Sequence, residues 1–139
     1  MGCCRTVVSN GATLDRSRNN EAVTLLASVA RTVTATSADL INYNGASYMD
    51  VILDMTVVGT GSVTVTINGK DPASGKYYLI LAGAAVITNV TNVYRVGISR
   101  TAVVNATAND TVPRIFQIVV TANNANTATY SVGYNLSRG

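Results

Sequence analysis

Histidine is absent from the 139 residues of this chain, and so is tryptophan. The commonest general base and the commonest metal ligand are therefore missing together, which excludes serine hydrolysis through a histidine. Acids are scarce as well: there are seven, and Glu21 is the single glutamate. We accordingly expect a protein that is not an enzyme and that uses no cofactor and no metal.

The few acids do not have a spacing suited to catalysis. Asp50 and Asp54 would share one face of a predicted strand about 13 Å apart at about 3.3 Å per residue, too far for either glycosidase arrangement. We interpret them as solvated strand-face charges, or as contacts to a basic residue of a partner. Asp39 and Asp71 fall in predicted loops, where aspartate side chains cap turns.

Charge of either sign is low. Charged residues make up 12% of the chain, about half the usual share, and the net charge of +3 reflects few charges rather than a basic patch. Arg5, Arg16 and Arg18 lie near the N-terminus, but Asp15 and Glu21 are interleaved with them and no aromatic stacking platform accompanies them. This pattern gives no reason to expect a nucleic-acid partner.

Long hydrophobic runs are also missing, and none approaches the roughly 20 residues that a membrane-spanning helix requires. Residues 5–20 are polar where a secretory signal would be apolar. The opening MGCCRT nevertheless fits the N-myristoylation pattern, with Cys3 and Cys4 placed for a second acyl chain. Adjacent cysteines rarely bond to each other, so three interpretations stay open: free thiols, disulfides between chains, and acylation. We expect no membrane partner.

The residues that are abundant favour strands. Hydrophobic residues make up 47% of the chain, and Thr, Val, Ala, Asn and Gly dominate while helix-forming surface residues are few. This is an all-β composition. A chain of this length suffices for a single domain with a real core, since it buries roughly 68–70% of its unfolded surface.

From Ala22 onward, strands of period two alternate with turn residues. YMDVILDMTVV places apolar residues on one face, and SVTVTI does the same after a Gly-Thr-Gly turn, so we predict a β-hairpin from this pair. AVTLLASVARTVTAT, residues 22–36, predicts one long strand with a bulge or bend. Seven or eight such strands predict a single antiparallel β-sandwich of Ig-like or jelly-roll type over residues 22–139.

Residues 1–21 differ in composition from the rest and form a predicted N-terminal arm. Asn, Ser, Gly and Arg are common there, and only the TVV of residues 6–8 could pair as a strand. Fully extended, the arm could reach roughly 70 Å at about 3.3 Å per residue. The residues that we predict to contact a partner are Arg5, Val7, Val8, Leu14, Arg16 and Arg18.

Two stretches carry a resemblance to a known group of proteins. Residues 64–85, TVTINGKDPASGKYYLILAGAA, and residues 113–137, PRIFQIVVTANNANTATYSVGYNLS, resemble small β-rich proteins encoded among the structural genes of tailed bacteriophages. The likeness covers the predicted sandwich rather than the arm, and its strongest element is the G-K-D-P-x-S-G-K-Y-Y turn of residues 69–78. It implies a structural component of a virion.

Within that class we expect a capsid decoration, or cement, protein. A neutral sandwich with a long arm suits a protein that binds the outer face of the phage head and bridges subunits of the major capsid protein. Its assembly would take place in the host cytoplasm, and it would form a homo-oligomer, with a trimer favoured. The alternative is a tail, neck or fibre component that contacts other virion proteins, or host glycans through the loops of residues 68–75 and 123–126.

Overall fold

Strands account for the regular structure of residues 20–138, the part of the chain that the computed structural model describes, and no helix occurs there. The all-β prediction is confirmed. The strands are β1 (Glu21–Arg31), β2 (Ala35–Thr36), β3 (Leu40–Ile41), β4 (Tyr48–Val57), β5 (Val63–Lys70), β6 (Tyr77–Ala82), β7 (Val90–Gly97), β8 (Thr107–Asn109), β9 (Ile115–Ala122) and β10 (Ala128–Ser137).

Two mostly antiparallel sheets make up the sandwich. The first sheet has the order β1-β10-β4-β7-β8, and the second has the order β2-β9-β5-β6, with β3 also paired to β9. The strand number is higher than the seven or eight predicted because β2, β3 and β8 are only two or three residues long. One pair, β7 with β8, is parallel.

The predicted hairpin of β4 with β5 is wrong. Both strands alternate as expected, but β4 lies in the first sheet and β5 in the second, so the turn after Val57 carries the chain across the sandwich. The two apolar faces then meet each other in the core instead of lying side by side. Hairpin pairing occurs between β5 and β6, which are antiparallel neighbours joined by residues 71–76.

The predicted long first strand is two separate strands in the structure. β1 ends at Arg31, and Ala35–Thr36 pairs with β9 in the opposite sheet. The predicted bulge is present: the register of β1 against β10 shifts between Thr24 and Leu26 and again between Leu26 and Val29. Each shift interrupts the alternation of side chains, which explains the irregular pattern of the sequence here.

The core lies between the sheets and contains most of the residues that alternation predicted; Val57, predicted on the same face as Met55, is exposed, and Val58 is buried instead. It is formed by one face of each long strand, and several side chains are completely buried, among them Met49, Val51, Leu53, Ile67, Phe116, Ile118, Tyr130 and Val132. Fully burying an aliphatic or aromatic side chain of this size contributes roughly 1.5–3 kcal/mol. Apolar burial therefore holds the two sheets together.

Connections gather at two ends of the sandwich. The terminal end holds Asn20, Arg138 and the loops of residues 42–47, 71–76, 98–106 and 110–114; the distal end holds the loops of residues 32–34, 58–62, 83–89 and 123–127. β1 begins at Glu21, so the last residue assigned to the arm already belongs to the sandwich. The other arm predictions lie outside the described residues: Cys3, Cys4, Arg5, Val7, Val8, Leu14, Arg16 and Arg18.

Candidate interaction edge

Strand β6 forms one edge of the second sheet and carries the candidate site. Among residues 20–138 it pairs with β5 alone, so one row of its backbone N–H and C=O groups has no hydrogen-bonded partner strand. Three consecutive large side chains on it are exposed: Tyr77 at 43%, Tyr78 at 47% and Leu79 at 62%. An apolar edge of this kind is a template for pairing with another strand.

The other edges are protected more fully than β6, whose pairing with β5 has one register shift, between Leu79 and Leu81. β2, β3 and β8 are too short to offer a long template. β1 is long, but its two register shifts distort it, and the guanidinium of Arg31 donates to the carbonyl oxygens of Ala27 at 2.7 Å and Val29 at 3.1 Å. The sequence of β6, YYLILA, has no charged residue. β6 is therefore the edge least guarded against pairing.

The turn that presents β6 is built by Asp71. Its carboxylate accepts hydrogen bonds from the Ala73 amide at 3.0 Å and the Ser74 hydroxyl at 2.7 Å, and these donors hold the pKa of Asp71 below its ordinary value. Its backbone closes the loop by donating to the Lys76 carbonyl and accepting from the Gly75 amide. Gly75 has a φ of 74°, which favours glycine. The prediction that Asp71 caps a turn is confirmed.

Asp39 forms hydrogen bonds with both strands at the base of the same hairpin. Its carboxylate accepts from Lys70 Nζ at 2.6 Å and from the Tyr77 hydroxyl at 2.5 Å, and it thus joins the loop before β3 to the first cross-strand pair of β5 and β6. These two donors, Lys70 first, lower the pKa of Asp39, while bonding to Asp39 raises the pKa of both Lys70 and Tyr77. Asp39 is therefore a bridge between segments and not the turn cap that was predicted.

On the inner side of the hairpin, Tyr78 covers Gly69. The two residues face each other across β5 and β6, and Gly69 pairs with Phe116 on its other side. A Cβ at position 69 would lie 2.8 Å from Cε2 of Tyr78 and closer still to the end of its ring. The glycine therefore provides the space in which the tyrosine ring lies.

The outer face of the first sheet carries a second polar cluster. Asp50 lies 3.2 Å from Arg100 and 3.8 Å from Arg95, and the Arg100 guanidinium lies 5.1 Å from the centroid of the Tyr48 ring. Asp54, the other acid on this face, accepts a hydrogen bond from the Thr91 hydroxyl. Both acids are thus on the outer face as predicted, and the basic contacts of Asp50 come from its own chain.

Two cavities of the described region contain little reactive chemistry. One, of about 230 Å³, is lined by residues that include Ala84, Asn92, Tyr94 and Ala106; another, of about 200 Å³, is lined by Ala46, Ser47, Ile98, Thr111 and Val112. Neither lining includes an acid, a lysine or an arginine. Within residues 20–138 no group of three or more acids, cysteines or histidines could hold a metal ion.

Comparisons with known proteins do not assign the chain to a family. No protein-family model matches it, and no curated protein matches it significantly. Within the described residues, no helix is long and apolar enough to cross a membrane.

Sequence patterns predicted the turn before β6 but did not show that β6 lies at the edge of its sheet. Alternation shows which side chains face the core, whereas the position of a strand within a sheet depends on contacts between distant segments. A signal was available, because YYLILA is an uncharged apolar run directly after a dense turn. The structure also gives Gly69, Lys70, Asp71, Ser74, Gly75, Tyr77 and Tyr78 of the G-K-D-P-x-S-G-K-Y-Y turn a role in forming that hairpin.

Proposed function

We propose that the chain is a non-enzymatic structural protein of a tailed-phage virion, namely a decoration protein on the outer face of the capsid. Its partner would be the major capsid protein, and its N-terminal arm would bridge neighbouring subunits. The observation that carries the proposal is the uncharged, exposed β6 edge, because an uncharged apolar strand edge is normally covered by a partner.

We further infer that the sandwich is a jelly roll rather than an Ig-like fold. When the short strands β3 and β8 are left out and the other eight are numbered in sequence, the first sheet reads one-eight-three-six and the second reads two-seven-four-five. Consecutive strands then cross between sheets at six of the seven connections. This order is that of the double-sheet jelly roll, an architecture that recurs in viral capsid proteins, and it supports a virion role by fold analogy.

The scarcity of reactive chemistry also favours a structural role. The most polar clusters of the described region, around Asp39 and around Asp50, are surface ion pairs that join segments of the same chain. Neither borders one of the two cavities described above. Arrangements of this kind stabilise loops and strand faces and do not position a substrate.

The test is binding to phage heads. The full chain should sediment with heads assembled from the major capsid protein of the same virus, and deletion of residues 2–20 should abolish this binding while circular dichroism shows that the sandwich remains folded. Equal binding by the truncated chain would count against the bridging role of the arm. An image of intact particles that places the chain elsewhere than on the head would count against decoration.

A tail, neck or fibre component is the alternative. Glycan contact through residues 123–126 finds little support, because the side-chain amide of Asn123 donates to Ser62 and Thr64, and those of Asn124 and Asn126 donate to the Thr60 carbonyl. These amides hold the distal-end loops together. Binding of the full chain to a glycan array would favour the alternative.

A further inference from the structure

We propose that residues 6–8 of a neighbouring copy, the Thr-Val-Val of its arm, add as a strand to the free edge of β6. This inference rests on the proposed function, since it names the surface that the arm binds. The partner would thus be a second copy of the chain, joined by backbone hydrogen bonds of the kind that hold a sheet together.

The first argument is the contrast between the edges. Leu79 is 62% exposed in the middle of an uncharged strand, whereas the long edge of β1 is interrupted by two register shifts and covered by Arg31. Natural proteins guard edges by such devices. β6 has one register shift, between Leu79 and Leu81, but residues 77–79 before it carry no charge and are open to pairing with another strand. Backbone groups of β6 would supply the affinity, and its exposed side chains would select an apolar partner.

The second argument is the chain that precedes β1. Residues 1–19 contain one run that favours a strand, Thr6 to Val8, in which all three residues are β-branched. The 12 residues from Ser9 to Asn20 that connect this run to β1 can span about 40 Å at about 3.3 Å per residue. That length exceeds the width of a five-stranded sheet, about 20 Å at about 4.8 Å between strands.

The third argument is the position of the two elements. β1 is at one side of the first sheet, whereas β6 contacts β7 and β8 at the other side. An arm that leaves Glu21 therefore starts at the side of the sandwich opposite to β6. In a head-to-tail arrangement the β1 side of one copy faces the β6 side of the next, so the arm has a short path to the neighbour. Such interfaces form a ring when the rotation between copies closes, and an open filament otherwise.

The experiment compares self-association of the full chain and three variants by sedimentation velocity under reducing conditions. V7D/V8D places charges in the arm strand, and Leu79→Lys places one on the β6 edge. Ile87→Lys is the matched control, because Ile87 is 65% exposed but lies in the loop after β6. We expect V7D/V8D and Leu79→Lys each to weaken association at least tenfold, and Ile87→Lys to leave it unchanged. Hydrogen exchange of residues 77–82 should accelerate in V7D/V8D.

Other results would overturn the inference. If Leu79→Lys dissociates the oligomer and V7D/V8D does not, β6 pairs with something other than the arm. If the full chain is monomeric and V7D/V8D still exposes the β6 amides, the arm covers the edge of its own molecule. A monomer with unchanged exchange in every variant excludes pairing altogether.

Binding to heads separates this inference from the proposed function. If V7D/V8D loses binding to heads but keeps wild-type self-association, the decoration role stands and the β6 contact does not. If the arm-dependent oligomer forms but the full chain does not bind heads, the contact stands and the decoration role fails.

Discussion

The guanidinium of Arg31 lies 4.6 Å from the centroid of the Tyr130 ring, and its Nη1 donates a hydrogen bond to the Tyr130 carbonyl oxygen at 2.6 Å. The same side chain reaches the carbonyls of Ala27 and Val29, in the stretch where β1 shifts its register against β10. Carbonyls in an irregular stretch need donors that the neighbouring strand does not supply. Arg31 supplies them from within β1.

Replacing Arg31 with alanine should therefore destabilise the sandwich. We expect the free energy of unfolding to fall by about 1–3 kcal/mol, because the partly buried Tyr130 carbonyl loses a charged donor and the ring loses a cation–π contact. The free energy of unfolding of Arg31→Lys should lie between those of the wild type and Arg31→Ala, because lysine keeps the charge but lacks the planar guanidinium. Urea titration measures these values.

Arg138→Ala is the control for this prediction. Within the described part of the chain, the Arg138 side chain makes one hydrogen bond, to the Asn44 carbonyl at 3.2 Å on the exposed terminal end. Its loss should change stability by less than about 0.5 kcal/mol. Equal losses for Arg31→Ala and Arg138→Ala would show that the Arg31 contacts do not hold the bulge.

Gly61 joins two of the loops at the distal end, and its replacement gives a second prediction. A Cβ at this buried position would lie 2.9 Å from the carbonyl oxygens of Thr127 and Val58 and 3.2 Å from Cβ of Ala128. Because the closest atoms belong to the backbone, they cannot rotate away. We expect Gly61→Ala to lower the free energy of unfolding by about 1–3 kcal/mol.

Thr60→Ala is the matched control, since the adjacent Thr60 is exposed. Its carbonyl accepts hydrogen bonds from Asn124 and Asn126, and this carbonyl is retained in the variant. Urea titration should leave Thr60→Ala close to the wild type. A Gly61→Ala chain with wild-type stability would mean that the crossing from β4 to β5 is looser than the structure indicates.

The same crossing shows how far the sequence predicts the fold. Alternation identified Val51, Leu53, Val65 and Ile67 as core residues, and all four are buried. It could not show that β4 and β5 lie in opposite sheets, because a period of two identifies the buried face of a strand and not its neighbour. A glycine such as Gly61 occurs both in turns between paired strands and in connections between sheets, so its presence in the sequence does not distinguish the two.

The hairpin at the β6 edge was likewise only partly predictable from the sequence. The turn of residues 71–76 was predictable from Asp71 and Gly75, since both act within a few residues of their own positions. The bridge from Asp39 to Lys70 and Tyr77 spans 31 and 38 residues of sequence, and no local pattern specifies it. Local rules therefore predicted the hairpin turn but neither its attachment to β3 nor its position at the edge.

The Asp39 bridge should make the hairpin sensitive to pH. The pKa of Asp39 is lowered by its hydrogen bonds from Lys70 and Tyr77, so its contribution to stability is present above the ordinary value of 3.8 and is lost as the pH falls through the lowered pKa. The pKa of Lys70 is raised by Asp39, so its contribution is present below 10.5 and is lost as the pH rises through the raised pKa.

Asp39→Asn tests this bridge. The variant should be less stable than the wild type at neutral pH, and the difference should disappear at both acid and alkaline extremes. Hydrogen exchange of residues 77–82 should accelerate at neutral pH. Asp54→Asn is the control, because among residues 20–138 the Asp54 carboxylate accepts a side-chain hydrogen bond only from the Thr91 hydroxyl, on the outer face of the first sheet. A stability difference between Asp39→Asn and the wild type that does not vary with pH would contradict the proposed ion pair.

Three tyrosines of the core should limit stability in alkaline solution. Burial raises the pKa of Tyr94, Tyr130 and Tyr134 above the ordinary 10.0. A raised pKa in the folded state means that the stabilising contribution is present below pH 10.0 and is lost as the pH rises through the raised values, because the unfolded chain releases these protons first. The midpoint of urea unfolding should therefore fall steeply above that pH.

The triple variant Y94F/Y130F/Y134F should lose less stability than the wild type over the same alkaline range, because phenylalanine has no proton to release. Tyr43→Phe is the control: this residue is 63% exposed, and its replacement should leave the alkaline decline unchanged. Tyrosinate absorbance recorded with circular dichroism should show late ionisation together with unfolding in the wild type. If the triple variant declines as steeply as the wild type, the alkaline loss comes from other groups, and the raised pKa of Lys70 makes its pair with Asp39 the next one to examine.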